Sequence, residues 1–149
     1  MQIPAPPLSE VKMKRIIYIL SFIFILLSVF VEVSITQKNE KDEFIEKIRI
    51  EIETIKSNIN IKNPVNDYLK IAHLYIQIDE LDNAIEYVNK AIHKDPKNPR
   101  AYYLLALIYE KKQDYVRAID LWEKVLEYSS KKDMKEIAQK HIDYLTKIK

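Results

Sequence analysis

The sequence predicts an all-α protein built from stacked helical hairpins. Three observations carry that prediction. Tyr68, Ile71, Ala72, Tyr75, Leu81, Ala84, Val88 and Ala91 recur 34 positions later as Tyr102, Leu105, Ala106, Tyr109, Tyr115, Ala118, Trp122 and Val125. A fixed period of that size is the mark of a stacked repeat. Within each set the first four members advance by three, one and three, and the last three by four and three, so each group shares a helix face. The chain also holds no glycine, which disfavours hairpins of strands and phosphate-cradling loops, both of which use that residue.

The first segment, residues 1–15, is polar and carries Pro4, Pro6 and Pro7. An extended, mobile tail is expected there. Residues 16–31 read IIYILSFIFILLSVFV, without a charge. At 1.5 Å per residue this run spans about 24 Å, and extension to Ile35 brings it to about 30 Å, a bilayer's hydrocarbon thickness. A transmembrane signal-anchor helix is expected over 16–35. The segment Val29–Val33 lacks the small-x-small pattern of a cleavage site, which favours an anchor over a cleaved leader. Cleavage would instead give a secreted protein. Lys12, Lys14 and Arg15 abut the run, whereas Lys38 and Lys41 lie further off among acidic residues. That bias predicts a cytoplasmic N-terminus and an extracytoplasmic remainder, periplasmic in a bacterium.

An amphipathic helix is expected over 37–62. Ile45, Ile48, Ile52, Ile55 and Ile59 advance by alternating steps of three and four, leaving a seam flanked by charges. The seam needs cover. Either it pairs with a second copy in a homodimer, or it folds back as a lid on the first repeat, whose open face needs one. Asn63-Pro64 and Asn98-Pro99 read as helix starts, with Asn as cap and Pro in the first turn.

Residues 64–149 form the repeat domain, with units at 65–98 and 99–130 and a capping helix at 131–149. In each unit a polar stretch, Gln77–Glu80 or Lys111–Asp114, separates two helices. Ala72, Ala106, Ala84 and Ala118 stand where helix axes approach, since a larger side chain would force them apart. Tyr68, Tyr75, Val88 and Trp122 fill the space left. Met134, Ile137, Ala138 and His141 echo the first-helix set, and Ile142, Leu145 and Ile148 continue an apolar stripe.

The order aromatic, Leu-small, Tyr, then Ala, bulky, Ala, with Pro96 closing the unit, resembles the tetratricopeptide repeat. The resemblance covers about 67 residues, from Pro64 to Ser130. It departs in having Ala at the small position, Val125 for the last Ala and Ser130 for the second closing Pro. The resemblance implies about two and a half repeats and a protein or peptide partner; an enzyme is disfavoured by the absence of Gly, Cys and any convergent acid–base set. By repeat position the inner surface would carry Leu69, His73, Ile76 and Gln77, then Tyr103, Leu107, Glu110 and Lys111. Leu69, Ile76, Tyr103 and Leu107 are apolar at places the repeat core does not need. They suggest a groove for an extended peptide or amphipathic helix. Alternatively the 45–59 or 134–148 helix fills that groove. The Lys and Asn pattern by which some members grip a terminal carboxylate is absent.

Charge and chemistry narrow the classes further. Formal net charge is +2 with 31% charged residues, so nucleic acid is not an expected partner. No cysteine is present, which removes disulfides and thiolate zinc sites. His73, His93 and His141 have no metal-binding spacing. Ser129 and Ser130 read as a turn, since no His and Asp accompany them. Neither cofactor nor metal is expected. The reading is a membrane-anchored scaffold that binds another protein, with a self-assembling structural component built on the 45–59 seam as the alternative.

Overall fold

A computed structural model describes residues 8–148. It has six helices and, among the described residues, no strand: α1 (Leu8–Ser57), α2 (Val65–Gln77), α3 (Leu81–Lys94), α4 (Pro99–Lys111), α5 (Tyr115–Tyr128) and α6 (Lys132–Ile148). The expected tail over 1–15 lies partly outside the described residues, and from Leu8 the backbone is helical. The helices expected at 16–35 and 37–62 are one continuous element that ends at Ser57, and residues 58–62 are not helical. Neither Gly nor Pro occurs between Pro7 and Pro64, so nothing in the composition breaks the helix between them.

The chain divides into two units, at Glu46 and Lys47. In the first, the apolar side chains from Leu20 to Ile35 face outward all round, Phe24 being 73% exposed. Ser21 and Ser28 donate to the carbonyls of Tyr18 and Ile25, and Ser34 and Thr36 to those of Phe30 and Glu32. These serine and threonine hydroxyls are thus satisfied by their own helix.

The second unit begins with the last turns of α1. Ile48 and Ile52 are buried in one core with Leu69, Ile71, Ala72 and Tyr75 of α2 and Ala84, Val88 and Ala91 of α3, and Ile55 and Ile59 pack against it. The seam from Ile48 to Ile59 is therefore spent within the chain, as a lid on the first repeat. Ile48 and Ile52 are not free to pair with a second copy. Polar contacts fix the lid's register: Glu51 with Lys70 at 2.9 Å, Lys56 Nζ on Tyr75 Oη at 3.0 Å, and the Asn60 amide on Asp67 at 2.9 Å.

Two hairpins follow, α2–α3 and α4–α5, and α6 lies against α5. The four crossing alanines, Ala72, Ala84, Ala106 and Ala118, are fully buried, as close helix approach requires. Trp122 is fully buried in the second core, with Ala106, Ala118, Val125, Ala138 and Leu145. The two hairpin turns are copies of each other. The Glu80 amide donates to the Tyr75 carbonyl, and the Asp114 amide to that of Tyr109, each at 2.9 Å. Each turn has one residue in the left-handed region, Asp79 at φ 63° and Gln113 at φ 60°. The fold thus uses the conformation that favours glycine, without glycine. Asn98 caps α4 by accepting from the Arg100 amide at 3.1 Å, with Pro99 in the first turn. Asn63 does not cap α2. Pro64 holds that position without a side-chain bond, because Asn60 Oδ1 has already drawn the preceding turn round the Lys62 amide at 3.0 Å.

Two stability outcomes follow from the packing. Ile52→Ala is expected to cost about 2–5 kcal/mol, as for other large-to-small core changes. Ile50→Ala, at a position 58% exposed, should stay within about 0.5 kcal/mol. Urea unfolding followed by the fluorescence of Trp122, the single tryptophan, measures both. Gln113→Gly relieves a left-handed Cβ and is expected to raise stability by roughly 0.5–1 kcal/mol, the unfolded-chain entropy of glycine offsetting part of the gain.

Candidate functional site

The first helices of the two hairpins and α6 together line one cleft. Leu69, Lys70 and His73 come from α2, Arg100, Tyr103 and Leu104 from α4, and Met134 from α6. Its volume is about 350 Å³. A smaller depression adjoins it through the shared residues Arg100 and Met134, and continues over Asn98, Pro99, Tyr128, Ser129, Ser130 and Lys131. The repeat spacing explains the assembly. Residues 66 and 100 are one period apart, and Arg100 Nη1 donates to Asn66 Oδ1 at 3.1 Å across the two hairpins.

Of the residues expected in a groove, Leu69, His73 and Tyr103 line this cleft. Leu69 does so while belonging to the core, at 2% exposed; it is a floor residue and not a free apolar contact. Tyr103 is half-buried, with its ring edge-on to Trp122 at 5.1 Å between centroids. Ile76, Leu107 and Glu110 lie outside the cleft lining. Ile76 packs against the first core and Leu107 against the second. Lys111 pairs with Asp79 at 2.7 Å.

Glu110 has a structural task. Its carboxylate accepts from Trp122 Nε1 and pairs with His141 Nδ1 of α6, the latter at 2.7 Å. The imidazole stacks on the indole, 4.4 Å between centroids and 27° between planes. One carboxylate thus ties α4, α5 and α6 together, and α6 closes the part of the expected groove around Leu107 and Glu110. Lys70, Arg100, Leu104 and Met134 are lining residues that sequence reasoning missed. The period itself carried a signal for Lys70 and Leu104, which are one repeat apart and directly follow Leu69 and Tyr103. Met134 joins them only through the placement of α6.

The charges at the rim are of one sign. Lys70, Arg100 and Lys131 are cationic, and no Asp or Glu lines either depression. Lys70 is held by Glu51; Arg100 and Lys131 make no ion pair among the described residues. An apolar floor beneath cations suits a ligand that offers an apolar side chain and carboxylates.

A family profile described as tetratricopeptide repeat matches residues 69–133. These are tetratricopeptide repeats. The chain is also similar to TPR repeat-containing protein MJ1428 of Methanocaldococcus jannaschii, at 31% identity over 96 residues. That match takes in 64% of this chain and 17% of the relative's length, so the chain spans only a small part of that relative. Tetratricopeptide repeats are protein–protein interaction modules.

The Glu110 clasp can be tested by removal. Glu110→Ala leaves the Trp122 N–H and His141 without their acceptor, and is expected to cost about 1–3 kcal/mol. Hydrogen exchange should show the loss as faster exchange in α6, with α2 and α3 little changed.

Proposed function

We propose that the chain is a membrane-tethered adaptor. Its repeats hold a partner protein at a bilayer through the cleft between α2, α4 and α6. The observation that carries the cleft is its apolar floor under a rim lined by cations, of which Arg100 and Lys131 make no ion pair among the described residues. The partner segment is therefore an acidic peptide with an apolar or aromatic anchor seated between Leu69, Tyr103, Leu104 and Met134. Arg100 and Lys131 meet its carboxylates, and His73 borders it. Binding is the whole task of the site, and no catalytic role is assigned to it.

The tether rests on residues 16–35. The helix is long and apolar enough to cross a membrane, its side chains from Leu20 to Ile35 face outward, and its serine hydroxyls at 21, 28 and 34 are satisfied internally, as hydrocarbon demands. Lys12, Lys14 and Arg15 before the run orient the N-terminus to the cytoplasm and the repeats to the outside. Burial of Ile48 and Ile52 removes the main support for the alternative, a dimer zipped through the 45–59 seam.

Two experiments test this reading. In membranes of the expression host the full chain should resist carbonate extraction. Asn89→Cys, in a chain that otherwise lacks cysteine, should react with a membrane-impermeant maleimide in intact cells. Release of the repeats into the soluble fraction would point to a cleaved leader. Panning a random dodecapeptide library on the full chain in nanodiscs should enrich acidic peptides with an apolar centre. Arg100→Glu should lower their affinity at least tenfold without shifting the melting temperature, and added salt should weaken binding. Enrichment of basic or uncharged sequences would remove the acidic partner.

A further inference from the structure

One of the three rim cations is already engaged, and its partner belongs to the lid. Lys70 Nζ lies 2.9 Å from Glu51 Oε1, whereas Arg100 and Lys131 make no ion pair among the described residues. Glu51 stands in the last turns of α1, next to Ile52, which is 1% exposed. No Asp or Glu lines the cleft itself. A carboxylate from outside the lining thus bears on its charge by way of Lys70. The second unit has an apolar residue, Leu104, one period on. The first has a lysine where the lid brings a carboxylate.

The lid does not need this pair to stay docked. Ile48 and Ile52 bury it in the first core. Arg49 pairs with Glu80, Lys56 donates to the Tyr75 hydroxyl, and the Asn60 amide donates to Asp67. The backbone at Glu51 is therefore fixed from both sides. The pair itself is open to water, with the Lys70 and Glu51 side chains 58 and 44% exposed. An exposed pair of this kind adds little to stability. It is also readily exchanged, because the ammonium sits on a flexible stem and another carboxylate can take the place of the first.

We infer that Glu51 is a built-in competitor for the third cation of the cleft. It holds Lys70 at the lid, and an acidic segment that recruits this ammonium displaces Glu51 from it. The inference rests on the acidic-partner reading above and adds its regulation: the lid sets how strongly the cleft grips. The exchange is reciprocal. By whatever factor Glu51 lowers the affinity for the segment, the bound segment weakens the hold of Glu51 on Lys70.

The test uses the full chain in nanodiscs at fixed ionic strength. The probe is a fluorescein-labelled peptide, Glu-Glu-Phe-Leu-Glu-Glu, and melting curves confirm that each variant folds. Glu51→Gln should tighten binding about two- to fivefold, the range set by an exposed pair. Glu53→Gln makes the same charge change on the same helix, at a residue paired with Lys56, and should tighten binding far less. Lys70→Met should weaken binding more in the Glu51→Gln chain than in the chain that keeps Glu51, because only there is the ammonium released. Equal losses would mean that Glu51 acts as a distant charge and does not hold Lys70 back. An equal gain from Glu53→Gln would mean that net charge alone is felt. No gain from Glu51→Gln would mean that the pair is only a latch of the lid. Each of these three results overturns the inference, and the acidic-partner reading stands beside them as long as Arg100→Glu still weakens binding. No binding of the probe by any of the chains, Glu51→Gln included, overturns both.

Discussion

The close approach of helices over alanine is the constraint on which the rest of this structure depends. Ala72, Ala84, Ala106 and Ala118 have no accessible surface, so the axes around them sit as near as backbones allow. That nearness leaves gaps on either side, and the aromatic and branched residues of the repeat fill them. Trp122 fills the largest. Because the same small and large positions recur at 34 residues, the second hairpin seats on the first in the only register that matches them. The copied turns at Asp79 and Gln113 follow from this demand. The second helix must return at a set angle, and a left-handed residue supplies the bend even where no glycine is available.

A short array has two open ends, and both are closed by helices that are not themselves full repeats. At the front, the end of α1 lays Ile48 and Ile52 on α2 and α3. At the back, α6 lays Ala138 and Leu145 on the second core and is clasped by Glu110. The two closures differ in kind. The front is mainly apolar, with charged contacts at its edges. The back hangs on one carboxylate shared between an indole and an imidazole, three helices meeting at one side chain. Such a shared acceptor gives α6 a defined position that apolar contact alone would leave loose.

That position shapes the cleft. With α6 docked, the part of the inner surface around Leu107 and Glu110 is occupied. What remains is the hollow between Leu69, Tyr103, Leu104 and Met134, edged by Lys70, Arg100 and Lys131. The functional surface is smaller than the repeat pattern implies, and its charge is more uniform than the chain's near-neutral total suggests. Most of the other ion pairs join a cation to a carboxylate on its own helix or a neighbouring one. At this rim Arg100 finds only the amide of Asn66.

The sequence by itself determined the repeat, its two hairpins and the identity of the packing residues, because helical periodicity and a 34-residue period are local and one-dimensional. It also marked out the apolar run over 16–31, since an uncharged stretch of that length is visible in composition alone. Only the tertiary structure decided which faces were already spent. The Ile48–Ile52 seam reads the same whether a second copy or the first repeat covers it. Leu69 and Ile76 read as free until the core is seen to include or adjoin them. Glu110 reads as a groove carboxylate until His141 and Trp122 arrive from 31 and 12 positions away. Asn63 has the form of a cap, but the turn at Asn60 leaves that position to Pro64. Periodicity tells which residues share a face; what meets that face depends on contacts between residues far apart in the chain, and those exist only once the helices have stacked.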